Sequence, residues 1–506
     1  MVQFIFTLNK EVGMSDTLNP SFIINPLEEL QKQFCLIDIG GEIRIADRSK
    51  INKVIEGVEL SELSFYTKQH GNTRLRRLLE NLPIDCDPKK TIESFWNNPE
   101  THVYNQIAFS PLPTPATTLN YWSGPNIKAA KGDSTFITDF LKKIICDNDL
   151  NCYAYLIKYL AHMIQRPEEK PGIMIVLLGR QGTGKGMFFN LLRSIWPRTT
   201  LQVSDVDSVI GRFNAVLERN FVIQMDEALF NGDKKSMERL KSFITEPKCE
   251  IEQKFQPSHT IDSYHRFFAA SNNDHFAQVD QDDRRFIFLR VSSSMQGDQN
   301  YFNQFAKLLK NDDAIASFLY LLHETNLSQF NVRIRPKTQE NLAQKIQSLS
   351  GFNRFWYERL IDGVFTIAKI KDSKSIYWSN QLFVKTEDLI QAYKLADTNS
   401  EKYRIIQASS ISNILNKLCP SAKSGRTSEL YSGQRRGYIL PDIDVARSAF
   451  ESWIGGKIDW GHGNPLDIQP IKTGFTEDQL AAMWEAYCLD DPHCHSSQLQ
   501  TEVLSS

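Results

Sequence analysis

Long apolar runs and paired cysteines are both missing from this sequence of 506 residues. A membrane-spanning helix needs roughly 20 consecutive apolar residues, and because no run approaches that length we expect no membrane partner. The N-terminus MVQFIFTLNKEVGMS lacks a basic leader and a small-residue cleavage site, which indicates a cytoplasmic protein. The 8 cysteines lack the paired spacing of a disulfide framework.

One local group of cysteines and histidines stands near the C-terminus, in the segment CLDDPHCH. It contains Cys488, His493, Cys494 and His495. These residue types bind zinc, but no second ligand pair lies upstream at zinc-site spacing. The spacing therefore favours the alternative, an exposed tail with unrelated thiols.

A strong net charge is also absent, since 58 Lys and Arg against 60 Asp and Glu leave a charge of −2. Any contact with nucleic acid must then come from a local patch. With 41% hydrophobic and 23% charged residues, the composition is globular. The length predicts about two to four domains.

The pattern of apolar residues divides the chain into six segments. They are a small α+β module (1–95), a helical region (96–170), an α/β core (171–295), a helical lid or linker (296–350), a C-terminal domain (351–470) and a tail (471–506). In the core, apolar strand-like runs alternate with helical patterns. This alternation predicts a parallel sheet with helices on both faces.

A glycine-rich loop follows the first apolar run of the core, in the segment IVLLGRQGTGKGMFFNLL. The spacing Gly179-x4-Gly184-Lys185 is typical of a phosphate-binding loop, in which backbone N–H groups surround the phosphates and the lysine reaches the β and γ oxygens. A chance glycine-rich turn is the alternative. The predicted nucleotide contacts are Gly179, Arg180, Gln181, Gly182, Thr183, Gly184, Lys185, Gly186 and Met187.

Gly186 stands where a hydroxyl residue usually binds Mg²⁺, so the metal needs phosphates, waters and a carboxylate from elsewhere. The apolar run FVIQMDE supplies Asp226 and Glu227. We expect Asp226 to orient Mg²⁺ and Glu227 to polarise the attacking water, with ATP and Mg²⁺ as cofactors. Two acids that cap the next helix are the alternative.

Two further apolar runs carry polar residues at one end. RFFAASNN ends in Asn272 and Asn273, where an amide can hold the attacking water or sense the γ-phosphate, although a plain turn is the alternative. DDRRFIFLRV places Arg284 and Arg285 at the entrance of a strand. An arginine there can reach a neighbouring subunit's γ-phosphate, and a surface salt bridge is the alternative.

Four elements follow one another along the chain: the phosphate-binding loop, the run ending in Asp226 and Glu227, the run ending in Asn272 and Asn273, and the run preceded by Arg284 and Arg285. Their order resembles that of the superfamily 3 helicases, the AAA+ branch found in viruses, phages and plasmids. The arginine finger of polyomavirus large T antigens precedes a phenylalanine, as Arg285 precedes Phe286, which favours Arg285 over Arg284. The resemblance implies an AAA+-like P-loop core, preceded by a helical layer and followed by a winged-helix-like domain. It also implies a homo-oligomeric ring, with a hexamer as the expected assembly.

The segments LNYWSG, YLIKYLAHMIQRPEEKPGIMIVLLGRQGTGKG, VKTEDLIQAY and RRGYILP are similar to regions of phage and plasmid primase-helicases of the poxvirus type. This resemblance covers residues 90–460, and that group tolerates a glycine after the lysine, which implies an intact site. Members often carry a primase domain with paired acids and a later histidine. Residues 1–95 show no such set, so we expect a helicase without its own primase.

The resemblance further implies a β-hairpin in CEIEQKFQPSHTIDSY that points into a central channel and grips DNA. Lys254 and Phe255 occupy the gripping positions, with His259 nearby. Lysine would neutralise phosphate, and phenylalanine would press on a sugar or base. An ordinary solvated hairpin is the alternative.

The C-terminal segments LFVKTEDLIQAYKLA, SSISNILNKLCP and RTSELYSGQRRGYIL have the strand–helix–helix–hairpin order of a winged helix, with Gln434, Arg435 and Arg436 on the wing. Residues 402–447 contain eight Lys or Arg against three Asp or Glu. This local excess fits DNA binding, but a winged helix can equally be a protein-docking module.

The preferred hypothesis is an ATP-dependent, ring-forming replicative DNA helicase of a virus, phage or mobile element, acting in the cytoplasm of its host. The resemblance implies 3′ to 5′ movement with a single strand in the channel, duplex at the fork, and a separate primase or polymerase as partner. One alternative is a DNA-binding ATPase switch, such as an initiator or defence scaffold, that assembles on DNA without processive unwinding. A small-molecule P-loop kinase is disfavoured by the winged-helix-like C-terminal domain and the tandem arginines.

Overall fold

The computed structural model describes residues 25–55, 63–226, 234–252, 258–272, 276, 283–368, 373–396, 408–427 and 435–461. Several predicted site residues lie outside these ranges and stay predictions: Glu227, Lys254, Phe255, Asn273, Gln434 and the cysteine and histidine group at 488–495. Within the described ranges, no helix combines the length and the apolarity needed to cross a bilayer.

The first unit packs helices around a small sheet. Its elements are α1 (Pro26–Gln33), β1 (Phe34–Ile39), β2 (Glu42–Asp47), α2 (Arg48–Ile55), α3 (Lys68–Glu80), α4 (Pro88–Asn97), β3 (Val103–Tyr104), β4 (Gln106–Ala108) and β5 (Thr118–Asn120). β1 pairs antiparallel with β2 and parallel with β3. Because β3 lies beyond residue 95, the expected boundary at 95 falls inside this sheet-containing unit.

A helical layer leads from this unit into the core. α5 (Thr135–Asp139) continues into a π-helical segment (Phe140–Ile145), and α6 (Leu150–Gln165) follows. The carboxylate of Asp149 caps α6 by accepting hydrogen bonds from the backbone N–H groups of Asn151 and Cys152. The layer therefore stands ahead of the core, as the sequence predicts.

The core is a five-stranded parallel sheet. An antiparallel hairpin lies between two of its consecutive strands in the sequence and forms a separate two-stranded sheet. Its elements are β6 (Met174–Leu178), α7 (Lys185–Ile195), β7 (Thr200–Val203), α8 (Asp207–Ile210), a 3-10 segment (Ala215–Leu217), β8 (Val222–Met225), α9 (Lys234–Thr245), the hairpin strands β9 (Lys248–Ile251) and β10 (His259–Asp262), β11 (Arg266–Ser271) and β12 (Phe286–Arg290). The order across the sheet is β12-β6-β11-β8-β7. Every neighbouring pair is parallel, which confirms the predicted sheet.

Helices cover both faces of this sheet, and the apolar runs follow from that. Alternate residues of β6 enter different core clusters: Ile175 and Leu177 pack on the side of α6 and α7, whereas Val176 and Leu178 pack on the side of α8 and α9. Since successive side chains of a strand point to opposite faces, a strand covered on both sides has to be apolar throughout.

Three helices follow the core, and the third closes an edge of the sheet. They are α10 (Gln299–Leu308), α11 (Asp312–Glu324) and α12 (Gln339–Gln347). The Asn341 amide of α12 donates to the carbonyl of Phe286 at 3.0 Å, and its oxygen accepts from the N–H of Phe288 at 3.0 Å. Asn341 therefore binds the edge strand β12 as a neighbouring strand would.

The C-terminal unit has its own core around the buried Trp356 and Trp378. Its elements are α13 (Gly351–Asp362), β13 (Val364–Ala368), β14 (Ser373–Tyr377), β15 (Leu382–Lys385), α14 (Thr386–Ala396), α15 (Ala408–Leu418), β16 (Lys423–Thr427), β17 (Arg435–Leu440) and α16 (Ile443–Ile454). β17 pairs antiparallel with both β15 and β16. The strand–helix–helix–hairpin order is the one predicted.

A fully buried arginine joins the helical layer to the sheet. The guanidinium of Arg266, at the start of β11, donates to the carbonyls of Tyr264 at 2.7 Å, Pro167 at 3.1 Å and Glu169 at 2.6 Å. It also lies over the ring of Phe221, 5.0 Å from the centroid. Burial lowers the pKa of Arg266 to about 10.

We expect Arg266→Lys to destabilise the protein by about 2–3 kcal/mol, because one ammonium cannot replace a planar group that donates to two chain segments. The melting temperature should then fall by about 5 °C in thermal unfolding followed by circular dichroism. Arg212→Lys is the matched control, since Arg212 is 76% exposed and forms an ion pair with Glu252 at 2.6 Å on the surface. Equal melting temperatures for the two variants would contradict this role of Arg266.

Candidate functional site

The glycine-rich loop joins the end of β6 to the start of α7. Gly182 and Gly184 have φ angles of +76° and +106°, a region that residues with a side chain rarely adopt. A Cβ atom on Gly184 would also lie 2.9 Å from the ring of Phe302 on α10. The loop conformation therefore requires glycine at 184 for two separate reasons.

Lys185 begins α7 and points back into the loop. It is 8% exposed, and its ammonium donates to the carbonyls of Gly179 and Arg180. The same ammonium donates to Oδ1 of Asn272 at 2.8 Å. Asn272 follows β11, which neighbours β6, so the parallel sheet brings together two residues that were predicted from separate motifs.

Asp226 lies at the same end of the sheet, directly after β8. Its N–H donates to the carbonyl of Val203 at 2.8 Å, and its Oδ2 accepts from Nε2 of Gln202 at 3.1 Å. Gln202 was not predicted as a site residue. The signal in the sequence is that Gln202 is a polar residue between two apolar residues of β7.

Lys185, Asp226 and Asn272 line one cavity of about 360 Å³. The lining residues are Gln181, Gly182, Gly184, Lys185, Gly186, Met187, Asn190, Asp226, Ala270, Ser271, Asn272 and Phe302. Most were predicted, but Asn190, Ala270, Ser271 and Phe302 were not. Periodicity alone makes Asn190 and Phe302 look like ordinary helix residues and makes Ala270 and Ser271 look like ordinary strand residues. Thr183 is buried instead, and its hydroxyl donates to the Arg180 carbonyl at 2.9 Å.

Gly186 faces open space, since a Cβ built there meets no atom within 4 Å. A serine or threonine hydroxyl would therefore fit at this position. The glycine is not required by crowding or by its backbone, which is helical. This separates Gly186 clearly from Gly184.

The arrangement can hold a nucleoside triphosphate with its metal. A buried ammonium and the first-turn N–H groups of α7 both favour an anion, and the Asp226 carboxylate lines the same cavity. In the described part of the chain, no three His, Cys, Asp or Glu side chains come together as a ready-made metal site. A Mg²⁺ ion at Asp226 would therefore need phosphate and water as its other ligands.

The tandem arginines directly precede β12 and therefore lie at the amino end of the parallel strands, opposite the end that carries the cavity. This strand has 5 residues, so at roughly 3.3 Å per residue its two ends are about 16 Å apart. Arg284 is exposed, and Arg285 is partly exposed and pairs with Asp283 at 3.4 Å. The fold does not bring either arginine to the cavity of its own chain.

The predicted DNA contacts lie on two hairpins. His259 is exposed on β10, with Nε2 3.1 Å from a carboxylate oxygen of Glu218. Arg436 is exposed on β17, directly opposite Arg426. Arg435 belongs to the same strand, but its side chain is outside the described part.

Comparison with known proteins gives a family match within the core. Residues 177–285 match a family of unknown function, DUF5906, and this range runs from the loop to the tandem arginines. Over 225 residues, the chain is 24% identical to the DNA primase-polymerase of Nitratiruptor phage NrS-1. The match covers 42% of this chain and 31% of that protein.

The fold is similar over a longer range. An apo structure of the NrS-1 C-terminal region aligns with a TM-score of 0.57 at 16% identity, covering 82% of this chain and 99% of the other. An A-form apo structure of the same region gives 0.55 at 15% identity, with 82% and 98% covered. The chain therefore shares the fold of that phage region and matches less than a third of the whole phage protein in sequence.

Two glycines of one loop provide a paired prediction. Gly184→Ala should distort the loop, because the methyl group meets Phe302 and the left-handed backbone is strained. Gly186→Ala should leave the loop intact and stabilise α7 by about 0.5 kcal/mol. Equilibrium binding of a fluorescent nucleotide, with thermal unfolding as the stability measure, separates the two: binding should be lost only in Gly184→Ala. Loss of binding in both variants would contradict the different surroundings of the two positions.

Proposed function

We propose that this chain is an ATP-dependent DNA helicase of phage or mobile-element replication. The observation that carries the proposal is the contact between Lys185 and Asn272 inside a cavity that Asp226 also lines. Residues from the ends of three parallel strands thus meet where a triphosphate would bind.

The position of the cavity in the sheet supports a nucleotide ligand. After β6 the chain crosses to the far edge at β7, returns through β8 and β11, and places β12 on the other side of β6. Ligands of open α/β sheets bind at the carboxyl ends of the strands, near such a reversal of strand order. The cavity lies at the carboxyl ends of β6, β8 and β11.

Each residue then has a role in ATP hydrolysis. Lys185 would neutralise the β- and γ-phosphates, and Asn272 would hold the lysine and sense the γ-phosphate. Asp226 would hold Mg²⁺, which when bound supplies charge neutralisation on the same oxygens. Glu227 follows Asp226 directly and is the proposed base for the attacking water.

The location of Arg285 supports an AAA+-like assembly with shared sites. The arginine lies at the amino end of the parallel strands and the cavity lies at their carboxyl ends. Arg285 can therefore act on a phosphate only in a neighbouring copy. Such a head-to-tail contact closes into a ring when the rotation between copies is right. A hexamer with a single DNA strand in its channel, moving 3′ to 5′, follows from the resemblance to superfamily 3 helicases.

The family resemblance and one basic surface support DNA as the partner. The resemblance implies that Lys254 and Phe255, which lie outside the described residues, grip the strand in the channel. On the C-terminal unit, Arg426 and Arg436 are exposed and lie directly opposite each other on the two strands of one hairpin, a pair suited to a phosphate backbone. The similar NrS-1 protein is a DNA primase-polymerase, which supports a role of this chain in phage DNA replication.

Lys185→Ala should reduce ATP hydrolysis by at least about 100-fold, because the charge opposite the β- and γ-phosphates is lost. Steady-state ATPase assays with and without forked DNA measure this. Lys143→Ala is the control, since Lys143 is 57% exposed and pairs with Asp139 at 2.7 Å. Undiminished turnover in Lys185→Ala would refute the nucleotide site, while ATPase activity without strand displacement in the wild type would favour the ATPase switch.

The shared site predicts complementation between two inactive variants. In an equal mixture of Lys185→Ala and Arg285→Ala, a site works only when its loop comes from the arginine variant and its finger from the lysine variant. Random assembly gives about one quarter of wild-type sites. ATPase activity should therefore return on mixing, and a mixture as inactive as its parents would exclude a shared site. If Arg284→Ala is inactive alone and regains ATPase activity when mixed with Lys185→Ala, the finger is Arg284.

A further inference from the structure

Asp283 is a buried carboxylate immediately before the tandem arginines. Its side chain is 1% exposed, and its Oδ2 lies 3.6 Å from the ammonium of Lys241 on α9. Its backbone carbonyl accepts a hydrogen bond from the guanidinium of Arg335 at 2.6 Å. Asp283 is thus fixed by two other segments of the chain.

The two carboxylate oxygens of Asp283 hold Arg285 in two ways. Oδ1 accepts the backbone N–H of Arg285 at 2.8 Å, which fixes the chain at the entrance of β12. Oδ2 lies 3.4 Å from a guanidinium nitrogen of the same residue. The Arg285 side chain is 37% exposed, so its guanidinium extends from a buried anchor towards the surface.

This anchoring has an energetic consequence for an arginine that must act across an interface. An arginine side chain loses rotamer entropy when it is fixed in one conformation. A carboxylate that restricts the side chain beforehand reduces the part of this loss that falls on the reaction. A role limited to neutralising the buried Lys241 would give Asp283 no influence on a neighbouring subunit.

We propose that Asp283 is a positioning residue that presents Arg285 to the nucleotide of the neighbouring subunit. The inference rests on the proposed function, in which Arg285 completes that site. Asp283 is not among the residues that line the cavity of its own chain, and the proposed effect on hydrolysis passes through Arg285.

Asp283→Asn is the test variant, because asparagine keeps an oxygen for the Arg285 N–H and loses the charge that holds the guanidinium. We expect kcat for ATP to fall about 10-fold with KM unchanged, since nucleotide binding uses the loop of the other chain. A rise in KM with kcat unchanged would overturn the positioning role.

Mixed assemblies show through which residue Asp283 acts. Asp283→Asn mixed with Lys185→Ala should exceed the mean activity of its parents and approach one quarter of wild type, because some sites then combine an intact loop with an intact finger. Asp283→Asn mixed with Arg285→Ala should not exceed the parental mean, because both defects lie in the finger. The reverse pattern would show that Asp283 serves its own chain and would overturn the proposal.

Two controls keep these outcomes distinct. The reference mixture of Lys185→Ala with Arg285→Ala tests the shared site itself; if it stays inactive, the proposed ring mechanism fails, and the role of Asp283 fails with it. The double variant Asp283→Asn, Lys241→Met removes both buried charges together, which protects folding. It should show the same complementation pattern with an unchanged melting temperature, and wild-type activity in this variant would overturn the proposal.

Discussion

The parallel alignment of five strands is the constraint on which the rest of the molecule depends. Because of it, the carboxyl ends of β6, β8 and β11 lie on one side, where the phosphate loop, Asp226 and Asn272 line one cavity. The amino end of β12, with Arg285, lies on the opposite side. Parallel strands also need crossover connections, and these supply the helices that bury both faces of the sheet.

Local features were predictable from the sequence because their causes are local. The glycine spacing around Lys185 reflects the left-handed backbone at Gly182 and Gly184. The uninterrupted apolar run of β6 reflects burial on both faces. The element order of the C-terminal unit also follows the pattern of the sequence, whereas the hairpin between β8 and β11 was expected from the family resemblance. The placement of the ATP, Mg²⁺ and DNA contacts remains a prediction.

Features that depend on distant partners were not predictable. Arg266 stands at the start of an apolar strand, and nothing nearby indicates that its guanidinium binds carbonyls that follow α6. The pairing of β3 with β1 carries the first sheet past residue 95, because a two-residue strand has no periodicity to detect. Asp283 looked like one more acid in a charged run, and only its burial beside Lys241 reveals a different environment. In each case a tertiary contact decides the role of the residue or strand, and the hydrophobic periodicity of the sequence does not indicate that contact.

The contact of Asn341 with β12 has a consequence for how copies of this chain can associate. An edge strand normally offers unpaired N–H and C=O groups to any other strand. Here the Asn341 amide occupies the carbonyl of Phe286 and the N–H of Phe288, and the Thr338 hydroxyl donates to the carbonyl of Phe288. A second molecule therefore cannot extend the sheet at β12 by adding a strand. Side-chain surfaces have to form any contact between copies on this side, and such contacts can separate and re-form without disturbing the backbone pairing of the core.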